Sequence, residues 1–270
     1  MAALASVAFA DDNAVSVGTL DFKNAFVQSG IVPEVIAALD PAVSFYASYR
    51  AADGHDELLI PGSSLTVAEA AAQPLEFSVE SLNNATNITS QTRYLIYLLD
   101  ADAPARSNPT ARNLRHYLAG NYSLANVNST LLTTAQRLAV PTGRFFPFTQ
   151  FTQANPMPNS GIHRFIYALY TQPARFNNAG FDSVGMEAET TNWNLSRWRT
   201  QLGLGPAIGA TFFTIDTGAN GGQGTSSNNT GVINNGGGTA GTSAAASLAA
   251  SVYMAAFTVF AASLGLVTLL

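Results

Sequence analysis

Between residues 94 and 121 the chain reads YLIYLLDADAPARSNPTARNLRHYLAGN. Residues 94–99 are uncharged, aromatic and aliphatic, a pattern that predicts a buried strand. The strand is expected to end at Asp100, because Asp102 and Pro104 follow, and proline lacks the backbone donor that a central strand needs. The chain therefore turns here, and two carboxylates lie at the end of the strand.

Two histidines accompany these carboxylates later in the chain. His116 lies in the apolar segment that begins at Leu114, and His163 lies in Gly-Ile-His-Arg-Phe at the head of the strand-like run IHRFIYALY. Each therefore falls at or near the end of a predicted strand, and such residues can converge in a β protein. Convergence is allowed by these patterns but is not required by them.

The motifs together resemble the phosphatidylethanolamine-binding protein family, also called the Raf kinase inhibitor or carboxypeptidase Y inhibitor family. The family's usual wording is DPDxP, then a histidine pair, then GxHRY; here the chain has DADAP, Arg115-His116 and GIHRF. The segments GIVPEVI, LTVAEAAAQP and GPAIGATFF also resemble family segments. The resemblance covers residues 19–216 and implies a mainly β fold with a large antiparallel sheet, a smaller sheet and a few short peripheral helices.

The resemblance also implies a small, non-catalytic surface pocket that holds phosphate-like anions and phospholipid headgroups, with no cofactor. An imidazole can donate to an anionic oxygen, and a nearby carboxylate orients the ring and raises its pKa. Asp102 is expected to cap the turn. The predicted ligand-binding residues are Asp100, His116, His163, Pro156 and Phe165, and the predicted supporting residues are Asp102, Pro104 and Arg115.

Three departures from the family pattern bear on the ligand. Arg115 replaces the first histidine of the pair, Phe165 replaces a tyrosine and so removes a hydroxyl, and Asn-Pro-Met at residues 155–157 replaces Gly-Pro-Pro on the rim. Arg115 either adds an anion contact or faces solvent. Two readings without an anion stay open: structural histidines beside a turn, and a zinc site made by two histidines and one aspartate.

The remaining pattern predicts mostly antiparallel strands with few helices. Strands are expected at residues 43–49, 57–60, 76–82, 94–99, 117–122, 165–170 and 209–216. Helices are expected within residues 26–39, with Pro33 near the first turn, and at residues 192–202. Thr66 followed by Glu69 predicts a capping box that opens a helical turn at residues 65–72.

Composition excludes several function classes. The net charge is −5, and the cations are eleven arginines and Lys23 without a basic run, so nucleic-acid binding has no electrostatic footprint. Cysteine is absent, which excludes disulfides and thiol catalysis. The sequence contains no G-x-S-x-G, P-loop, G-x-G-x-x-G after a strand, or H-E-x-x-H motif. The chain is therefore expected not to be an enzyme.

Both ends of the chain predict the secretory pathway. Residues 1–10 resemble the end of a signal peptide with cleavage before Asp11, and residues 11–216 are the predicted domain. A disordered apolar terminus is the alternative for the first ten residues. Six Asn-x-Ser/Thr triplets, which predict glycosylation, are headed by Asn84, Asn87, Asn121, Asn128, Asn194 and Asn228.

The C-terminal region divides into a flexible linker and an apolar tail. Residues 217–247 are rich in Gly, Ser, Thr, Asn and Ala, and residues 248–270 are uncharged and long enough to cross a bilayer as a helix. We interpret the tail as a glycosylphosphatidylinositol (GPI) attachment signal, because small residues, a spacer and an apolar tail form that pattern. A transmembrane tail or a buried helix are the alternatives. Attachment candidates are Asn235, Gly241 and Ser243.

The sequence thus predicts a cell-surface protein that binds an anionic headgroup or a phosphorylated small ligand. The alternative is a protein-interaction module, such as a serine carboxypeptidase inhibitor or a signalling modulator. A third hypothesis is a structural protein of the cell wall.

Overall fold

The computed structural model describes residues 16–82, 85, 88–141, 147–174 and 190–218. Within these residues the chain forms nine strands. They are β1 (Ser44–Arg50), β2 (Asp56–Leu59), β3 (Ser63–Ser64), β4 (Glu76–Glu80), β5 (Tyr94–Asp100), β6 (Leu114–Asn128), β7 (Gln136–Ala139), β8 (Ile162–Thr171) and β9 (Gly209–Asp216). Mainly β structure, as the sequence predicts, is confirmed.

The strands pair in the order β2-β1-β4-β7-β6-β5-β8-β9-β3. All pairs are antiparallel except β3 with β9, so the sheet is mixed rather than purely antiparallel. The long strand β6 joins two layers, since its first part pairs with β5 and its last part with β7. Asn121, with φ of 61°, lies where this change of partner occurs. A single folded sheet therefore supplies both the larger and the smaller layer.

Alternating side chains of β5 enter two different cores. Tyr94, Ile96 and Leu98 pack between the two layers, whereas Leu95 and Tyr97 face the helices. Rings from both layers meet in the first core, including Phe77 with Tyr167 at a centroid distance of 5.2 Å and Tyr49 with Phe213 at 5.8 Å. Both faces of β5 are buried, which explains its continuous apolar sequence.

The helices cover the outer face of the β5-β8-β9 layer. They are α1 (Thr19–Gln28), the short α2 (Ile31–Glu34) and α3 (Leu195–Leu202). Phe26 of α1 contacts Phe212 at 5.0 Å, and Trp198 of α3 contacts Tyr97 at 6.2 Å between ring centroids. Apolar contacts of this kind, rather than helix propensity, stabilise such short helices.

The predicted helix at residues 26–39 is wrong in its bounds. The main helix begins earlier, at Thr19, because Phe22 and Phe26 form its buried face. Helical structure after Gly30 ends at Glu34, and within it Val32 has extended dihedral angles and is followed by a cis peptide bond to Pro33. Sequence periodicity also missed β3 and β7, which are too short to show alternation.

The capping box is confirmed. The backbone N–H of Glu69 donates to the Thr66 hydroxyl at 3.1 Å, and the N–H of Thr66 donates to the Glu69 carboxylate at 2.8 Å. It opens a 3₁₀ turn, Glu69–Ala71. Asn194 caps α3, accepting from the N–H of Arg197 at 2.9 Å, so the predicted helix at residues 192–202 begins after its cap.

Several sequence predictions fall outside the described residues. These are the signal peptide, the sequon residues Asn84, Asn87 and Asn228, the linker from residue 219 onward, the apolar tail, and the attachment candidates Asn235, Gly241 and Ser243. Of the described sequon residues, Asn128 and Asn194 are exposed. The side-chain oxygen Oδ1 of Asn121 accepts a hydrogen bond from the side-chain amide of Gln172 at 2.6 Å. A search of the described residues finds no helix with the length and apolar character that crossing a bilayer requires.

Candidate functional site

Asp100 and His163 form a buried pair at the end of two adjacent strands. Antiparallel pairing of β5 with β8 places Asp100 opposite Phe165, so its carboxylate reaches the imidazole two residues earlier. Nδ1 of His163 lies 2.8 Å from Oδ2 of Asp100, and both side chains are almost wholly buried. Because a carboxylate only accepts, Nδ1 carries the proton and donates. Asp100 also accepts from the N–H of Asp102 at 2.8 Å.

The second nitrogen of His163 faces a serine. Nε2 lies 2.8 Å from the Ser160 hydroxyl, so both ring nitrogens have partners. Ser160 belongs to residues 147–161, a segment that contacts both histidines, since its Thr152 lies beside His116. Pro156 is buried in this segment, between the residues that contact the two imidazoles.

His116 approaches the pair from β6. Its Nδ1 lies 3.2 Å from the main-chain oxygen of Thr152, and Thr152 in turn donates twice to the main-chain oxygen of His116. Its Nε2 is buried and has no hydrogen-bond partner in the part of the chain described. A buried nitrogen of this kind destabilises the fold by about 1–3 kcal/mol unless a partner arrives.

Burial lowers the pKa of the His116 imidazole. The main chain at Thr152 and the Asp100 carboxylate favour the charged ring but do not outweigh the loss of solvent, and the His163 ring lowers the pKa further. The Asp100 carboxylate thus raises the pKa of His116 as expected, but burial outweighs it, and the net shift is downward.

Phe165 lies between the two imidazoles. Its ring meets His116 edge-on at 5.4 Å and lies nearly parallel to His163 at 6.3 Å. Behind it, Phe213 stacks at 5.1 Å. Phe165 is fully buried, so it forms an apolar base that fixes both rings.

Asp102, in the turn after β5, and Arg164 form a second pair on the other side of β8 from the Asp100–His163 pair. The Asp102 carboxylate accepts from Arg164 at the backbone N–H (3.0 Å), Nε (2.7 Å) and Nη2 (2.6 Å). Nη1 of Arg164 donates to the main chain of Ser29 at 2.9 Å and to Glu34 at 3.1 Å, and Arg112 also donates to Glu34 at 2.6 Å. Asp102 thus joins the turn to the region around α2, which is more than the turn cap expected.

The other supporting residues lie away from the imidazoles. Arg115 is buried, donates from Nε to Thr149 at 2.7 Å, and lies over the Trp193 ring at 4.9 Å. It therefore faces neither solvent nor the Asp100–His163 pair. Pro104 follows a cis peptide bond in the turn after β5. The fold therefore brings together Asp100, His116, His163 and Phe165, but places Arg115 elsewhere.

Sequence reasoning missed Ser160, Thr152 and the partners of Asp102. Ser160 precedes His163 by three residues in an Asn-Ser-Gly turn, where a hydroxyl commonly bonds locally. Arg164 stands beside His163 in the same motif. Strand alternation could have assigned it to the opposite face, but it could not have identified Glu34 as a partner.

The arrangement suits an anionic oxygen. Nε2 of His116 lacks a partner among the described residues, and the Asp100 carboxylate orients the neighbouring His163 ring. Phe165 forms an apolar base beside both rings. Within the described residues, no group of three His, Cys, Asp or Glu side chains is placed to hold a metal ion.

The sequence matches known proteins over most of the described fold. The family model described as phosphatidylethanolamine-binding protein matches residues 54–213, more than half of the chain. A 26 kDa secreted antigen of Toxocara canis is 25% identical over 189 residues, which cover 70% of this chain and 62% of that protein. The match thus spans less than two thirds of the antigen. The CEN-like protein 1 of Nicotiana tabacum is 23% identical over 69% of this chain and 88% of its own length.

Solved structures share the fold. Carboxypeptidase Y inhibitor, in complex with its cognate proteinase, has a TM-score of 0.59 at 18% identity, covering 73% of this chain and 95% of that chain. A phosphatidylethanolamine-binding protein from Plasmodium vivax has a TM-score of 0.52 at 14% identity, covering 71% and 95%. At such identities the likeness concerns the fold alone.

Proposed function

The chain belongs to the phosphatidylethanolamine-binding protein family, and we propose that Asp100, His116 and His163 form a non-catalytic site for an anionic headgroup or a phosphorylated small ligand. His116 and His163 supply the donors, and Asp100 orients His163. Phe165 and Pro156 shape the apolar surroundings.

One observation carries this proposal. Nε2 of His116 is buried and has no partner among the described residues, although the surrounding polar atoms of the Asp100–His163 pair are matched. Proteins seldom leave a buried polar nitrogen unpaired, and such an atom calls for an explanation. Nδ1 faces the Thr152 carbonyl and so carries the proton of the neutral ring, and a phosphate oxygen would accept from Nε2 once the ring takes up a second proton.

The charge of His116 follows from the same geometry. Burial favours the neutral ring in the free protein, and an arriving anion would favour the charged ring, since an opposite charge within a few ångströms raises the pKa of an imidazole. Anion binding should therefore be accompanied by proton uptake at His116. Charge-assisted hydrogen bonds are roughly twice as strong as neutral ones, which favours an anion over a neutral ligand.

We further propose that the protein is secreted, glycosylated and attached to the cell surface through a GPI anchor. Support comes from the six sequons, from the flexible and apolar composition of residues 217–270, and from the relative described as a secreted antigen. Sensitivity of the surface-bound protein to phospholipase C would test the anchor.

A protein-interaction function is the alternative. The fold is shared with an inhibitor that forms a complex with its proteinase, which makes a serine carboxypeptidase a rational partner to test. Under this alternative the site only shapes a binding face, so substitutions at His116 and His163 would leave inhibition intact.

Titration of the full-length chain with phosphate and then phosphoethanolamine, followed through the imidazole NMR signals, tests the proposal. The chain has three histidines, and His55 is exposed in a distant loop beside Asp53. We expect saturable shifts for His116 and His163, with His55 unchanged. His116→Ala and His163→Ala identify the signals. Absence of any response at millimolar ligand would contradict an anion site.

A further inference from the structure

The hydroxyl of Ser160 is held on several sides. Its oxygen lies 2.8 Å from Nε2 of His163 and 2.9 Å from the Thr217 hydroxyl, and it is also within hydrogen-bond distance of the main-chain oxygen of Met157. A hydroxyl has one proton, and both the Met157 oxygen and an unprotonated Nε2 can only accept it, so this proton is already committed to one of these two neighbours. Ser160 therefore has no donor left for a ligand in this conformation.

Thr217 fixes Ser160 in this place. Its backbone N–H donates to Gly161 at 3.0 Å, and its carbonyl accepts from the N–H of Asn159 at 2.7 Å. Its hydroxyl donates to Met157 at 2.9 Å or Gly161 at 3.1 Å. The residue directly after β9 thus joins the turn that carries Ser160.

The two imidazoles are consequently not equivalent. Nδ1 of His163 donates to Asp100, and its Nε2 is hydrogen-bonded to the Ser160 hydroxyl, whichever of these two atoms is the donor. Within the described part of the chain, Nε2 of His116 is buried without a partner, whereas Nε2 of His163 is occupied by Ser160. An anion that engages both rings has to remove Ser160 from His163.

We propose that Ser160, supported by Thr217, determines the specificity of the site: its hydroxyl occupies Nε2 of His163, and only a ligand oxygen that bonds more strongly can replace it. The inference rests on the anion site proposed above and names its ligand class. An oxygen of a phosphate or phosphomonoester forms a charge-assisted bond to a protonated ring. A neutral hydroxyl or carbonyl oxygen would only replace the hydrogen bond of Ser160 to His163 by another of similar strength. We therefore expect neutral ligands not to displace Ser160.

Phosphate titrations of full-length wild type, Ser160→Ala and Thr217→Val test this inference, with the imidazole ¹⁵N signals as the readout. Removing the competing hydrogen bond should raise phosphate affinity by about two- to tenfold in Ser160→Ala. Thr217→Val should raise it by a smaller factor, because Ser160 stays but loses a support. Glycerol, a neutral probe, should bind Ser160→Ala better than wild type.

Ser63→Ala is the matched control. The Ser63 hydroxyl also donates to a carbonyl three residues earlier, that of Ile60 at 2.9 Å, but it lies on β3, which β9 separates from β8. We expect its phosphate affinity to equal that of wild type.

The ligand-free proteins give a second, independent readout. Loss of the Ser160 hydroxyl should change the ¹⁵N chemical shift of His163 Nε2 in Ser160→Ala. The chemical shifts of His116 and His55 should stay the same. An unchanged Nε2 signal, or phosphate affinity that is equal or lower in Ser160→Ala while wild type binds, overturns this inference alone. No response to phosphate in either protein overturns the anion site as well. A response in Ser160→Ala but not in wild type supports both.

Discussion

Two carboxylates at the end of β5 and in the turn after it pair with adjacent residues of β8, and the two pairs differ in how completely their hydrogen bonds are satisfied. Asp102 and Arg164 are both fully buried, and the carboxylate accepts three hydrogen bonds from its partner. Asp100 and His163 are almost as buried, yet they stand beside His116, whose Nε2 has no partner in the described chain. The first pair is fully hydrogen-bonded, and the second lies beside a buried nitrogen that still lacks a partner among the described residues.

The difference shows how one motif can serve stability and binding together. Adjacent residues on β8 point to opposite faces of the strand. His163 therefore faces the core between the two layers of the sheet, whereas Arg164 faces the helices. Arg164 reaches the main chain of Ser29 and the Glu34 carboxylate, and so joins the helical cover to the strands. We expect substitutions in the two pairs to separate stability from ligand binding.

The largest effect is expected for Asp102→Ala. Removal of this carboxylate leaves the buried Arg164 guanidinium without its main counter-charge, which should lower the free energy of unfolding by about 3–5 kcal/mol. Urea unfolding measures the change. The double variant Asp102→Ala/Arg164→Met is the control, and it should be more stable than the single variant because no buried charge is left unpaired. A loss below about 1 kcal/mol would assign the pair no structural role.

A smaller effect is expected for Asp100→Asn. The amide keeps the oxygen that accepts from Asp102 but replaces the acceptor of His163, so we expect a loss of about 1–3 kcal/mol in urea unfolding. The phosphate response of His163 should also weaken, because the ring loses its orienting carboxylate. Asp53→Asn, in the exposed pair with His55, should leave the unfolding midpoint and the phosphate response unchanged. Equal stability losses for Asp100→Asn and Asp102→Ala would remove the distinction between the pairs.

The smallest effect concerns pH. The folded-state pKa of His116 lies below its ordinary value of about 6.5, so the unfolded chain binds the proton first as pH falls. The contribution of His116 to stability is therefore fully present above pH 6.5 and declines toward the folded-state pKa, by at most about 1.4 kcal/mol per pH unit.

Unfolding by urea at pH 7, 6 and 5 tests this expectation. The decline should be reduced in His116→Gln and retained in the control His55→Gln. Phosphate should weaken the decline in wild type, because the anion stabilises the charged ring. A wild-type stability that rises as pH falls to 5 would contradict a buried neutral His116.

The sequence predicted which residues lie close together better than it predicted their hydrogen-bond partners. Asp100, His116 and His163 were identified through a resemblance in motif order, and the structure brings them together. Phe165 was expected as a ligand contact, and the structure places it as the base under both rings. Arg115 was expected near the anion or in solvent, but it packs over Trp193, since the residue beside an inward-facing histidine on a strand faces the other way.

The fold was predictable wherever local signals were strong. Strand β9 has the predicted bounds, β5 was predicted to within one residue, and the capping box at Thr66 is present. The helix at Thr19–Gln28 was missed because its exposed Leu20 and Val27 weaken its apolar periodicity.

The sequence alone determined the longer strands, the turn after Asp100, and the membership of two histidines and an aspartate in one family pattern. These features are local, because they depend on side-chain alternation and on proline. Tertiary structure alone decided which nitrogen is free, which is occupied by Ser160, and which carboxylate belongs to Arg164. The Asp100–His163 and Asp102–Arg164 contacts join residues 63 and 62 positions apart in the chain, and their distances depend on the register between two strands, which the sequence of one strand does not specify.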